Sequence, residues 1–96
     1  MTRAYIVSAC RSPVAPRGGA LAHLSLPDLA APVLSAAIAR AGLAPAQVDE
    51  VICSNALGPG GNPARSIALS SALPEHVAGL SIDRQCAGGL DALALA

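Results

Sequence analysis

Leu80-Ser81-Ile82-Asp83-Arg84-Gln85-Cys86-Ala87-Gly88-Gly89-Leu90-Asp91-Ala92-Leu93-Ala94-Leu95-Ala96 joins an apolar strand-like run to helix-forming residues through a cysteine on a tight turn. This pattern predicts a strand–cysteine–helix elbow. A thiol there stands at a helix N-terminus, where unpaired backbone N–H groups and the helix dipole favour the thiolate, the nucleophilic form. Ala87, Gly88 and Gly89 leave room for a substrate carbonyl or a neighbouring backbone to approach the sulfur, as small residues do around other nucleophiles on such turns. The same residues also suit a buried structural cysteine beside a helix-packing Gly-Gly pair.

Upstream of the elbow, Val77 to Asp83 reads as a strand, and Val48-Asp49-Glu50-Val51-Ile52-Cys53-Ser54-Asn55 as another. Cys53 fits a core position better than a chemical one. Between these strands, Asn62-Pro63 is an N-cap followed by proline at the first helical position, opening a helix to about Ala72 that Pro74 ends. Further upstream, Ser25-Leu26-Pro27-Asp28 has the form of a helix start, and Leu29, Val33, Leu34, Ala37, Ile38 and Ala41 recur at helical spacing until Gly42. Pro32 lies past the first turn of that helix, so the helix either begins nearer Asp28 or bends. Ala4-Tyr5-Ile6-Val7-Ser8-Ala9 has the apolar continuity of a strand buried on both faces. Residues 14–23, with Arg17-Gly18-Gly19, read as a surface loop.

The expected order is β-α-β-α-β-α, an α/β layered fold with a mainly parallel sheet, its first strand central. In such sheets chemistry gathers at the carboxyl ends of the strands, which is where Cys86 falls. The chain stops in mid-helix without a stop signal, so residues 1–96 are expected to be the N-terminal part of a longer domain.

Composition narrows the partners. Six acids balance six basic residues, all arginine, in 96 residues. Neither nucleic acid nor an anionic membrane is an expected partner. No apolar stretch reaches the roughly 18 residues of a membrane span, and no signal peptide is legible. With one Tyr and no Phe or Trp, the alanine-rich chain can bury little large apolar surface. Such a chain, with a sheet edge left open, is expected to be poorly soluble or to associate. Three unevenly spaced cysteines, Cys10, Cys53 and Cys86, cannot form a closed disulfide set, which suits a reduced, cytoplasmic setting. His23 and His76 stand alone, so no metal site is assigned.

These segments together resemble the N-terminal end of the thiolase family, the acetyl-CoA acetyltransferases and 3-ketoacyl-CoA thiolases. Tyr5-Ile6-Val7-Ser8-Ala9-Cys10-Arg11-Ser12-Pro13, Gly18-Gly19, Ala41-Gly42-Leu43, Val48-Asp49-Glu50-Val51-Ile52 and Gly61-Asn62-Pro63-Ala64-Arg65 fall in family order. Arg84-Gln85-Cys86-Ala87-Gly88-Gly89-Leu90 is similar to the family's nucleophile segment. The resemblance implies a thiolase-like fold in which Cys86 is acylated by an acyl-CoA, its own backbone N–H a candidate oxyanion donor. It further implies coenzyme A thioesters as substrates rather than a bound cofactor, and a homo-oligomer, dimer or tetramer, in the full-length form.

Two residues depart from the family's pattern, which usually has Asn where Asp83 stands and Ser where Gly88 stands. An acid followed by Cys-Ala-Gly is also similar to the related 3-ketoacyl-acyl-carrier-protein synthases, and a non-catalytic, degenerate thiolase-like fragment is a further reading. The family's Gly-His-Pro segment, its second cysteine in Cys-x-Gly-Gly-Gly and its CoA-binding loop region have no counterpart here, and His23 and His76 match neither. Because a positioned base is worth about 10²–10⁴-fold in rate, the isolated 96 residues are expected to be close to inactive.

Overall fold

A computed structural model describes residues 2–96, which fold in the order α1 (Leu26–Arg40), β1 (Glu50–Ser54), α2 (Pro63–Ser70), β2 (Ala78–Ile82) and α3 (Gly88–Leu95). Short 3-10 turns at Pro45–Gln47 and Gln85–Ala87 precede β1 and α3. β1 and β2 pair in parallel, with Glu50 opposite Ala78 and Ser54 opposite Ile82. The Asn55 N–H extends the ladder to the Ile82 carbonyl at 2.8 Å.

The helices begin and end where local chemistry satisfies their free backbone groups. The Ser25 hydroxyl accepts from the Asp28 N–H at 3.2 Å, so α1 starts at Leu26 even though Pro32 lies within it. Pro32 removes one internal hydrogen bond, and the remaining capped turns carry the helix through. At its far end Gly42 has φ +70°. The Gly42 N–H donates to the Ala39 carbonyl and the Leu43 N–H to the Ile38 carbonyl, a paired closure that requires the left-handed conformation glycine supplies. Asn62 caps α2 by accepting from the Arg65 N–H at 3.2 Å.

Alternation along the strands divides the packing between two faces. Val51 and Cys53 point toward α2 and α1, and Val51 is buried with Ala64, Ala68, Leu73 and Val77; Leu34, Ile38 and Val48 close over this core. Ile52 shares an open apolar groove with Ala92 and Leu93 of α3, so α3 lies on the other face. Ser54, two positions further along that face, meets the start of α3.

The core is small, and it works by close approach. Ala64 and Ala68 are buried at 0% and 2% exposure. At Gly79 a Cβ would stand 2.4 Å from the Arg65 nitrogen and 2.7 Å from its Cα, so α2 lies almost on the backbone of β2. Polar groups lock that seat. The Ala64 N–H donates to the Ser81 hydroxyl at 2.9 Å, the Ser81 hydroxyl donates to the Asn62 side-chain oxygen, and Asn62 Nδ2 donates to the Gly79 carbonyl at 2.9 Å. Arg65 Nη1 donates to the carbonyls of Glu75 and Val77, both at 2.8 Å, and so fixes the approach to β2.

The leading strand is a correction to the sequence reading. Residues 4–9 form no strand, and Tyr5, Ile6 and Val7 are 76%, 73% and 66% exposed. A strand requires a neighbour's unpaired backbone, and β1 and β2 are hydrogen-bonded to each other without residues 4–9 between them. The segment is therefore not the centre of the sheet, although its apolar pattern is that of a buried strand. It is held further on, where the Cys10 thiol donates to the Val33 carbonyl of α1 at 3.3 Å. Among the described residues no helix is long and apolar enough to cross a membrane.

Gly79→Ala is expected to destabilise the fold by about 1–3 kcal/mol, because the added methyl meets backbone that cannot move aside. Urea unfolding followed by far-UV circular dichroism measures this as a lowered midpoint.

Candidate active site

The site is built at the carboxyl ends of the two strands. Beyond Ile82 the chain makes a compact turn. The Gln85 N–H donates to Asp83 Oδ1 at 2.9 Å, and Gln85 itself sits at φ +48°. A non-glycine residue in the left-handed region costs about 1–2 kcal/mol, which a local side-chain-to-backbone hydrogen bond offsets. Cys86 follows on the 3-10 turn Gln85–Ala87 and is exposed to solvent. The Ala87 N–H donates to the Arg84 carbonyl at 3.1 Å, and α3 begins at once at Gly88.

No side chain caps α3. Its first-turn N–H groups point to the end of the helix that carries Cys86, where developing negative charge is favoured. An ion pair between Arg84 Nε and Asp91 Oδ2 bridges the turn from its first residue to the first turn of α3. Arg84 is 72% exposed on its side chain, so the pair contributes little to stability and serves chiefly to orient the turn.

The two departures from the family's pattern have local physical reasons. At position 83 the turn needs a side-chain oxygen that accepts from the N–H two residues on, and aspartate and asparagine both supply one. At position 88 a Cβ would meet the Ser54 hydroxyl, which can rotate away, and Ser54 Cβ at 2.9 Å, which cannot, so glycine fits there without displacing the strand end. Gly89, by contrast, has open space around it. The small residues after Cys86 therefore serve two purposes: Gly88 packs against the strand end, and Gly89 leaves the surface clear.

The other two thiols are placed differently. Cys53 lies half-buried on the core face of β1, and burial pushes its thiol up from the ordinary value. Cys10 is partly buried against α1. His76 precedes β2 whereas Cys86 follows it, so a strand of five residues, roughly 17 Å long, separates them. His23 is exposed in the loop before α1. Neither histidine is assigned to the site, and among the described residues no cluster of His, Cys, Asp and Glu could hold a metal ion. Sequence reasoning singled out Cys86 and passed over Ser54, Gly79 and Ser81, whose contacts depend on what lies across the sheet.

With this geometry in view, comparison with known proteins is decisive. The family model for the N-terminal domain of thiolase matches residues 4–96. The chain belongs to the thiolase family. An acetyl-CoA acetyltransferase from Cupriavidus necator is 46% identical over 98 aligned positions, covering 100% of this chain and 25% of that protein. One from Escherichia coli is 45% identical with the same coverage. Among solved structures, the acetyl-CoA acetyltransferase of Bacillus anthracis matches with a TM-score of 0.86 and 41% identity, over 90% of this chain and 22% of that one. A thiolase from Ascaris suum in complex with coenzyme A matches with a TM-score of 0.86 and 32% identity, over 95% of this chain and 24% of that one. The chain thus spans about a quarter of the length of these relatives. The thiolase-like α/β fold expected from the sequence is the fold observed, its leading strand excepted.

Asp83→Ala is expected to cost about 1 kcal/mol by removing the acceptor of the Gln85 N–H, whereas Asp83→Asn retains wild-type stability within a few tenths. Thermal unfolding of the two variants side by side measures the difference. A second expectation concerns pH. Because the folded state holds the Cys53 proton more tightly than the unfolded chain does, its contribution to stability is fully present below about pH 8.5. That contribution is lost as pH rises through the raised folded value. Melting temperatures across the alkaline range should fall more steeply for the wild-type chain than for Cys53→Ala, in which this proton is absent.

Proposed function

We propose that this chain is the nucleophile-bearing part of a thiolase-type acyltransferase acting on acyl-CoA thioesters. The observation that carries the reading is the exposed Cys86 on a strand–turn–helix elbow at the carboxyl end of β2, within a chain that matches the thiolase N-terminal domain throughout. Similarity to proteins named acetyl-CoA acetyltransferase supports acetyl-CoA as the acyl donor.

The Cys86 thiolate attacks the thioester carbonyl, and a tetrahedral intermediate forms. It collapses by breaking the carbon–sulfur bond to coenzyme A, which leaves as a thiolate and takes up a proton; the acyl group stays on Cys86. Negative charge on the carbonyl oxygen develops beside the start of α3, where the Cys86 N–H is the proposed donor. The α-carbon of a second acetyl-CoA then loses a proton and attacks the acyl-cysteine carbonyl, and the carbon–sulfur bond breaks to release the Cys86 thiolate and a 3-ketoacyl-CoA; in reverse a 3-ketoacyl-CoA is cleaved with coenzyme A as the final acyl acceptor. The base that activates the thiol and the acid/base for the second substrate would be supplied outside these 96 residues. On this reading the isolated chain is acylated at most once per molecule and does not turn over. Sulfur-based acyl transfer needs no resident cofactor, and a reduced cytoplasmic setting with a homo-oligomeric full-length form remains the proposal.

Brief treatment with iodoacetamide at neutral pH, read by peptide mass spectrometry, should label Cys86 ahead of Cys10 and Cys53. Preferential labelling of either of the other two would overturn the assignment. The donor is tested by incubation with acetyl-CoA or with an acetylated carrier protein, quenching in acid, and locating the acetyl group. Acetylation of Cys86 by the CoA ester and its absence in Cys86→Ala is the expected outcome, while transfer from the carrier protein alone would move the assignment to the ketoacyl synthases.

A further inference from the structure

We infer that Ser54 is a positioning residue for the Cys86 turn, and that positions 54 and 88 share a single side-chain seat between the carboxyl end of β1 and the first turn of α3. The inference rests on the reading of Cys86 as the nucleophile.

The geometry is specific. Ser54 is the last residue of β1, opposite Ile82, the last residue of β2. From Ile82 only Asp83, Arg84 and Gln85 intervene before Cys86. Ser54 points to the α3 face of the sheet, and its hydroxyl occupies the place that a side chain on Gly88 would take, with a Cβ–Oγ separation of 1.9 Å. Rotation of the Ser54 hydroxyl relieves the Oγ contact but not the 2.9 Å approach to Ser54 Cβ, so a side chain on residue 88 requires the elbow or the strand end to shift while residue 54 bears one. Gly88 is buried, although Ala87 and Gly89 on either side of it are exposed. The contact is therefore the point at which the elbow rests on the sheet.

Two tethers would otherwise hold the Cys86 turn: the Asp83–Gln85 hydrogen bond, which is internal to it, and the exposed Arg84–Asp91 pair. Neither connects the turn to β1. Seating on Ser54 supplies that connection and fixes how far α3 stands from the strand ends. A group in the shared seat could come from either side, from residue 54 or from residue 88, with equivalent support for the cysteine between them. The exchange of one for the other is thus a packing equivalence, and only one of the two positions can be filled without such a shift.

The test is a swap in the full 96-residue chain, comparing wild type, Ser54→Gly, Gly88→Ser and the double variant Ser54→Gly/Gly88→Ser. Two quantities are read: the ratio of Cys86 to Cys53 alkylation by iodoacetamide, and the thermal midpoint. Gly88→Ser alone overfills the seat, and its ratio should fall about ten-fold or more as the elbow lifts and the Cys86 turn is displaced, while Cys53, covered on the opposite face of β1, serves as the internal reference; that is the scale ordinary overpacking strain implies. Ser54→Gly alone empties the seat and should lower the ratio less, by about three-fold, as a small cavity does. The double variant should return the ratio to within about two-fold of wild type, the additivity expected to fail for residues in contact. A merely structural loss at either position would accumulate in the double variant, so recovery is the distinguishing result. A Gly88→Ser chain that unfolds also lowers the ratio, and the double variant then decides. Wild-type behaviour of Gly88→Ser, or failure of the double variant to recover, would overturn the shared seat. If Cys86 is not the reactive thiol, the ratio is near one already in the wild-type chain, and recovery of the thermal midpoint still reads the packing separately.

Discussion

The structure depends on how closely α2 can lie on β2. A short helix that buries only Pro63, Ala64, Ile67 and Ala68 has little apolar surface with which to hold a sheet, and it compensates by approaching the strand backbone itself. Gly79 permits the approach, while Ser81 and Asn62 turn it into directional hydrogen bonds to groups that a helix start and a strand would otherwise leave unpaired. Arg65 adds two bonds to the carbonyls just ahead of β2. Polar atoms thus do at this contact what large aliphatic side chains do in other α/β folds. Once α2 is seated, β2 is fixed beside β1, and the turn that bears Cys86 inherits its place from the end of β2.

Much of this was legible in the sequence because it is local. Ser25, Gly42, Asn62 and Pro63 announce helix ends through the backbone groups they satisfy or the conformations they allow, and each acts where it was read. The elbow was legible for the same reason, since the strand, the turn and the helix around Cys86 are contiguous. Gly79 and Ser54 carry no such mark. A glycine inside a strand and a serine at its end acquire meaning only from the backbone that arrives across the sheet, 14 residues before Gly79 in one case and 34 residues after Ser54 in the other. Tyr5, Ile6 and Val7 illustrate the opposite error. Their pattern states what they would bury but not against which strand, and neither strand of the observed sheet is free between the two to receive them.

The departures at Asp83 and Gly88 carry a related lesson. Judged by residue type, each looks like a weakening of the thiolase pattern. Judged by what the turn requires, Asp83 supplies the oxygen acceptor that asparagine would, and Gly88 is the residue that meets the Ser54 side chain without a shift of the strand end. Similarity of a motif is therefore better measured by the groups it presents to its surroundings than by the letters it retains.

The alternation of β1 has a bearing on how the protein can vary. Val51 and Cys53 face the core, whereas Ile52 and Ser54 face α3 and the elbow. Core packing and contact with the Cys86 elbow are thus written on interleaved positions of one five-residue strand. Odd-numbered residues can drift only as far as the packing of α2 allows, while even-numbered ones can be exchanged to retune the placement of the thiol without unsettling the scaffold. A strand of this kind gives selection two nearly independent dials within a single turn-to-turn segment.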